Sequence, residues 1–157
     1  MFLGVDHVDT RVRSLRDVEP FYDRFFAAIG LVRKKYSYVD EAGEWSAVPP
    51  GVAANVAEYF ERTTGGAPPR FVGIIEDGAP PSRTRIAFCA ESVAALDEWY
   101  ARLPEMGAEK VERSTDPAYP AIFFEDPCGT RLELVARVAR PSPSPGLSSR
   151  AVRPPAP

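Results

Sequence analysis

Histidine is almost absent from this chain: His7 is the only one in 157 residues. Any site that needs two imidazoles is therefore closed to it. Cysteine is scarce as well, and Cys89 and Cys128 neither form a C-x-x-C pair nor provide the even set of closely spaced residues from which a disulfide framework is built, so both are expected to be reduced. No apolar run approaches the ~20 residues that a bilayer crossing requires. The opening Met-Phe-Leu-Gly-Val-Asp-His meets an acid too early for a secretory signal. A cytoplasmic location and no membrane partner follow as expectations. Charge of one sign is lacking too: the net charge is -3, and the cations are scattered along the chain rather than gathered. Nucleic acid is therefore not an expected partner.

What the sequence does contain is itself, twice. At an offset of 78 residues His7 falls on Arg85, Ser14 on Ser92, Leu15 on Val93, Val18 on Leu96, Tyr22 on Tyr100 and Phe25 on Leu103; Gly30 then matches Gly107 at an offset of 77. Matching at strand, cap and helix-face positions implies two copies of one supersecondary unit, each burying its apolar face with the other's help. Function is then expected where the copies meet.

Each copy reads as βαβββ. In the first, Leu3 to Val12 is a strand with Val5, His7, Asp9 and Arg11 on one face. Ser14 caps a helix bearing Leu15, Val18, Tyr22, Phe25 and Ile29, which Gly30 ends. Pro20 lies within it, so its first turn is expected to be distorted or its start delayed. Leu31 to Val39, Asn55 to Glu61 and Phe71 to Glu76 supply strands, with an interruption at Pro49-Pro50-Gly51. In the second copy, Thr84 to Ala90 is a strand with Arg85, Ala87 and Cys89 on one side, Ser92 caps a helix that Gly107 stops, and Ala108 to Arg113, Ala121 to Glu125 and Arg131 to Arg137 complete the unit. The expected organisation is one domain over 1–139, with modules at about 3–77 and 84–137, and a disordered Pro/Ser-rich tail over 140–157.

The segments Val5-Asp-His-Val, Phe21-Tyr-Asp-Arg-Phe-Phe, Thr84-Arg-Ile-Ala-Phe and above all Ala121-Ile-Phe-Phe-Glu-Asp-Pro-Cys-Gly-Thr-Arg-Leu-Glu-Leu-Val resemble the vicinal oxygen chelate superfamily. Its members include glyoxalase I, extradiol dioxygenases, fosfomycin resistance enzymes and bleomycin-binding proteins. The resemblance implies an α+β fold in which two βαβββ modules pair into a cup-shaped sheet, a small-molecule ligand in the cup, and a homodimer. It also implies four ligand positions for a divalent metal, on the first and fourth strands of each module. Carried across, these fall on His7, Gly73, Arg85 and Glu133. Gly73 has no side chain to donate, and a guanidinium at Arg85 repels a cation. A metal would have to add Asp9, Glu58 or Glu61 to His7 and Glu133, so the cofactor is left unidentified and a divalent metal is doubtful.

The substitution suggests a cup that works without the full metal centre. Arg85 paired to Glu133, with His7 nearby, would offer a fixed cation to an anionic or carbonyl oxygen. In an enzyme these three would be the catalytic residues, Arg85 polarising the oxygen while Glu133 or His7 moved a proton. Arg85, Cys89, Phe71 and Phe123 are the expected ligand-binding side chains, and Trp45, Tyr59 and Phe60 are further aromatics near the cup. Tyr22, Phe25, Trp99 and Tyr100 are assigned to the core, and Lys34 and Lys35 to a solvated patch. Two classes stay open: an enzyme of the glyoxalase-type lyase, isomerase or dioxygenase kind, and a metal-free antibiotic-binding protein.

Overall fold

A computed structural model of the chain describes residues 5–63 and 68–137. The 140–157 tail lies outside the described residues. Two helices and nine strands follow one another in the order β1 (His7–Val12), α1 (Leu15–Ala28), β2 (Arg33–Val39), β3 (Trp45–Ser46), β4 (Val56–Phe60), β5 (Phe71–Glu76), β6 (Arg85–Ala90), α2 (Val93–Met106), β7 (Glu109–Arg113), β8 (Ala121–Glu125) and β9 (Arg131–Ala136). The two-residue β3, which pairs Tyr38 with Ser46 and Val39 with Trp45, was not expected; the strands otherwise fall where the repeat places them.

The first module forms a five-stranded sheet ordered β1-β5-β4-β2-β3, the second a four-stranded sheet ordered β6-β9-β8-β7. In each, the first strand runs parallel to the last, because the chain leaves it through a helix rather than a hairpin. The two registers coincide. His7 lies opposite Phe71 and Asp9 opposite Gly73, just as Arg85 lies opposite Arg131 and Ala87 opposite Glu133. The fold thus repeats the duplication that the sequence shows.

Both helices start at a serine whose hydroxyl accepts a backbone N–H in the first turn, Asp17 N to Ser14 and Ala95 N to Ser92. This satisfies one of the donors that a helix start leaves without a partner. At α1 the Glu76 carboxylate, on the last strand of the same sheet, takes the Leu15 N–H at 2.5 Å. The helix runs from Leu15 through Pro20, so its start is not delayed, and its first turn keeps the Asp17 N–H to Ser14 cap. Gly107 closes α2 in the left-handed conformation (φ 99°), where a side chain would be strained.

Leu15, Val18, Phe21, Tyr22, Phe25 and Phe26 make one buried stripe on α1. It serves both modules: Phe25 meets Phe88, Trp99 and Phe124 of the second as well as Phe26 of its own helix. Two polar ties cross the same junction. Tyr22 donates to buried Asp126 at 2.8 Å, and the Arg24 guanidinium donates to the Met106 carbonyl at the end of α2. One hydrophobic cluster therefore spans both copies. No helix among the described residues is long and apolar enough to cross a membrane.

Candidate functional site

The copies meet through their helix-bearing sides, and that junction is packed with aromatic rings. The candidate residues lie on the opposite faces of the two sheets, away from that junction. Strand alternation decides the sidedness. On β6 Ile86, Phe88 and Ala90 pack on the core while Arg85, Ala87 and Cys89 are exposed; on β1 Val12 is fully buried while His7, Asp9 and Arg11 point the other way.

On the second sheet Glu133 is 5% exposed, and its carboxylate accepts a hydrogen bond from the Tyr119 hydroxyl at 2.6 Å. That bond, with the Glu133 charge behind it, raises the Tyr119 pKa and keeps the phenol a donor. Arg85 Nη1 stands 3.9 Å from the second Glu133 oxygen, and its guanidinium lies over the Phe123 ring, 4.5 Å from the centroid. The expected pairing of Arg85 with Glu133 is present, and Phe123 is its platform. Arg85 and Phe123 border one hollow of about 250 Å³. Cys89, two residues further along the same face, borders a different one with Trp99 and Arg102.

On the first sheet His7 stacks on Phe71, with ring centroids 4.6 Å apart and planes within 6°. Its Nδ1 is 2.8 Å from the Asp6 carboxylate and its Nε2 is 3.8 Å from Asp9. The hydrogen bond to Asp6, reinforced by the nearby Asp9 charge, raises the imidazole pKa against a smaller effect of burial. Asp9 also settles the Gly73 question. A Cβ on Gly73 would lie 2.3 Å from Asp9 Oδ1, so the Asp9 carboxylate occupies the space that a side chain at that position would fill. The second module has the reverse arrangement, with Ala87 on the first strand and the carboxylate of Glu133 on the last. Each module keeps one carboxylate over the same pair of strands.

Among the described residues no hydrogen bond or ion pair joins His7 to Arg85 or Glu133. Nor do three or more His, Cys, Asp or Glu side chains gather where they could hold a metal ion. The chemistry of the inherited positions points the same way: one is a glycine, one a guanidinium, and the two donors stand on separate sheets. A divalent metal does not fit this donor set within one chain.

Other expectations shift. Tyr59 is 3% exposed and its ring faces the core, while its hydroxyl reaches out to donate to exposed Asp23; register puts its neighbours Glu58 and Phe60 on the cup face instead. Tyr100, expected in the core, is 38% exposed with the Arg113 guanidinium over its ring. Lys34 is no free surface cation, since Glu19 and Asp23 hold it at 2.8 and 2.7 Å. Asp6 lies within the Val5-Asp-His-Val segment, which implies no role for it, and Tyr119 falls outside the segments that carry the resemblance. Tyr119 was nonetheless within reach: it precedes Ala121 and Phe123 in steps of two and so extends the face that carries Glu133.

The family model of the glyoxalase/bleomycin resistance protein/dioxygenase superfamily matches residues 4–134. A variant of the fosfomycin resistance protein FosX from Listeria monocytogenes, crystallised with Mn(II) and 1S,2S-dihydroxypropylphosphonic acid, is 22% identical, with 88% of this chain and 96% of that one covered and a TM-score of 0.58. A putative glyoxalase from Bacillus halodurans is 20% identical, with 86% and 96% covered and a TM-score of 0.57. A glyoxalase/bleomycin resistance protein from Albidiferax ferrireducens T118 is 18% identical, with 85% and 98% covered and a TM-score of 0.53. No curated protein matches the chain. By the span of the family match and the twice-repeated strand register, this chain belongs to the glyoxalase/bleomycin resistance protein/dioxygenase superfamily.

Proposed function

We propose that this protein binds a small organic molecule on the cup face of its sheets without a resident metal, and that Arg85 presents the fixed cation that receives an anionic or carbonyl oxygen of the ligand. The observation that supports this is the placement of Arg85: on the exposed face of β6, braced by the Phe123 ring and backed by buried Glu133. A guanidinium held in this way has lost much of its side-chain freedom before the ligand arrives, and that entropy need not be lost again on binding. Sequestration suits the arrangement better than turnover, because His7, the one imidazole able to move a proton near neutral pH, stands on the other sheet. Free thiols at Cys89 and Cys128 accord with a reducing, cytoplasmic setting.

We also propose a homodimer that brings the half-cups together. β1 and β6 each end a sheet, and His7 does not meet Arg85 within one chain. A second copy that sets its β6 beside β1 of the first would join them. Sedimentation of the native protein should give twice the chain mass. A screen of small anions by thermal shift in the presence of a chelator should find ligands that the Arg85→Ala variant no longer binds. Equal binding by that variant, binding that requires a stoichiometric divalent metal, or formation of product from the bound molecule would each overturn the metal-free sequestration reading.

A further inference from the structure

Arg85 has a second arginine beside it. Arg131 on β9 is its register partner across the parallel pair, so both guanidiniums leave the sheet on one face. Like charges set directly opposite one another destabilise a sheet unless something between them carries the opposite charge. Glu125, the partner of Arg131 on its other flank, does not fill that role, because Lys110 Nζ engages its carboxylate at 2.6 Å. Among the described residues no ion pair reaches Arg131, whereas Arg85 has a loose contact with Glu133 at 3.9 Å. Both arginines border the same hollow of about 250 Å³.

We propose that Arg85 and Arg131 form a clamp for the carboxylate of a small organic acid. This rests on the reading that Arg85 faces the ligand and adds the chemical class of that ligand. Two guanidiniums facing one buried carboxylate, Glu133, leave a local excess of one positive charge, which matches a monoanion. The remaining carboxylate at the hollow, Glu112, is on β7, whose backbone runs two strands beyond β9 and so about 10 Å from it, on the side of the hollow away from Arg85. A carboxylate is planar and accepts from guanidinium forks in pairs. A phosphoryl dianion would bring a second charge towards Glu133. The size of the hollow, below that of pockets for drug-sized ligands, suits a small acid.

Titration calorimetry of the full chain with benzoate and with phenyl phosphate, which share a ring and differ in the anion, tests the clamp. Benzoate should bind the native protein more tightly than phenyl phosphate, and Arg131→Gln and Arg85→Gln should each weaken it by about tenfold, the effect of losing a hydrogen bond to a charged group. Arg131→Lys, which keeps the charge but loses the fork, should recover only part of the loss. Without ligand, Arg131→Gln should leave the urea midpoint unchanged or raise it, because it removes a like-charge opposition; a lowered midpoint would mark Arg131 as a structural residue and overturn the clamp. Unchanged benzoate binding by Arg131→Gln beside loss in Arg85→Gln would overturn the clamp and leave the Arg85 reading standing. Unchanged binding by both variants would overturn both. Tighter phenyl phosphate, or no benzoate binding by the native protein, would overturn the carboxylate assignment.

Discussion

Replacing Gly73 by alanine should be nearly neutral while Asp9 is present and stabilising once Asp9 is removed. The added methyl would lie 2.3 Å from Asp9 Oδ1, about 1.1 Å inside the 3.4 Å at which ordinary contact begins. The Asp9 carboxylate is the far end of a two-torsion side chain that is 31% exposed, so it can swing aside. Doing so off its rotamer costs about 0.5–1.5 kcal/mol. Against that, a glycine inside a strand gives up about 0.5–1 kcal/mol relative to alanine, because its unfolded chain is freer. In the native background the two effects nearly cancel, and Gly73→Ala should change stability by less than about 1 kcal/mol. In an Asp9→Ala background only the gain remains, so the same substitution should stabilise by about 0.5–1 kcal/mol. The double-mutant cycle should therefore show a coupling of about 1 kcal/mol between positions 9 and 73. Equilibrium urea unfolding of the four proteins resolves it. A coupling indistinguishable from zero would refute the claim that the Asp9 carboxylate fills the place of a side chain at position 73.

Four further outcomes are expected. Ala87→Asp sets a second carboxylate against buried Glu133, and should destabilise at neutral pH by about 2 kcal/mol or more, with most of the loss recovered in acid where one carboxyl is protonated; urea midpoints at two pH values check it. Phe25→Ala removes a fully buried ring that touches Phe88, Trp99 and Phe124, and should cost about 3–5 kcal/mol in the same assay. Tyr22→Phe deletes a donor to the Asp126 carboxylate, which also accepts from the Cys128 and Thr130 amides; burial, with the Asp126 charge beside it, keeps the phenol protonated, so about 1.5–3 kcal/mol should be lost across neutral pH. His7 should titrate above its ordinary value, and Asp6→Asn should bring it down, as followed by NMR of the imidazole protons. Because the folded pKa is raised, the stability that His7 contributes is full below its unfolded pKa and is lost as pH rises through the folded one; a native protein that gains stability over that window would contradict the assignment.

Periodicity made much of the fold legible. The bounds of β5 and β8 coincide with the apolar runs Phe71 to Glu76 and Ala121 to Glu125, and the serines that start both helices sit where capping chemistry needs them. Which face a strand shows was harder to read. Val56 to Phe60 is apolar on both sides apart from Glu58, so alternation alone leaves Tyr59 and Phe60 exchangeable; the pairing of Glu58 with Gly73 decides between them. Trp99 and Tyr100 stand three and four residues after Leu96, so helical spacing admits both to the buried face; Met106, buried further round the helix, draws that face towards Trp99 and leaves Tyr100 at its edge. The Arg85–Glu133 pairing was readable because both positions come from the repeated register. The separation of His7 from them was not, since no local pattern records how two modules dock.

The shared aromatic cluster also limits what can be taken apart. Phe25 belongs to the first half of the chain, but most of its ring partners lie in the second, and Tyr22 reaches across to Asp126. Cutting the connector between Gly78 and Ser82 should therefore yield two fragments that are poorly folded when separate and recover their order when mixed, like the halves of a split reporter. Duplication here has produced complementary parts, neither a spare for the other.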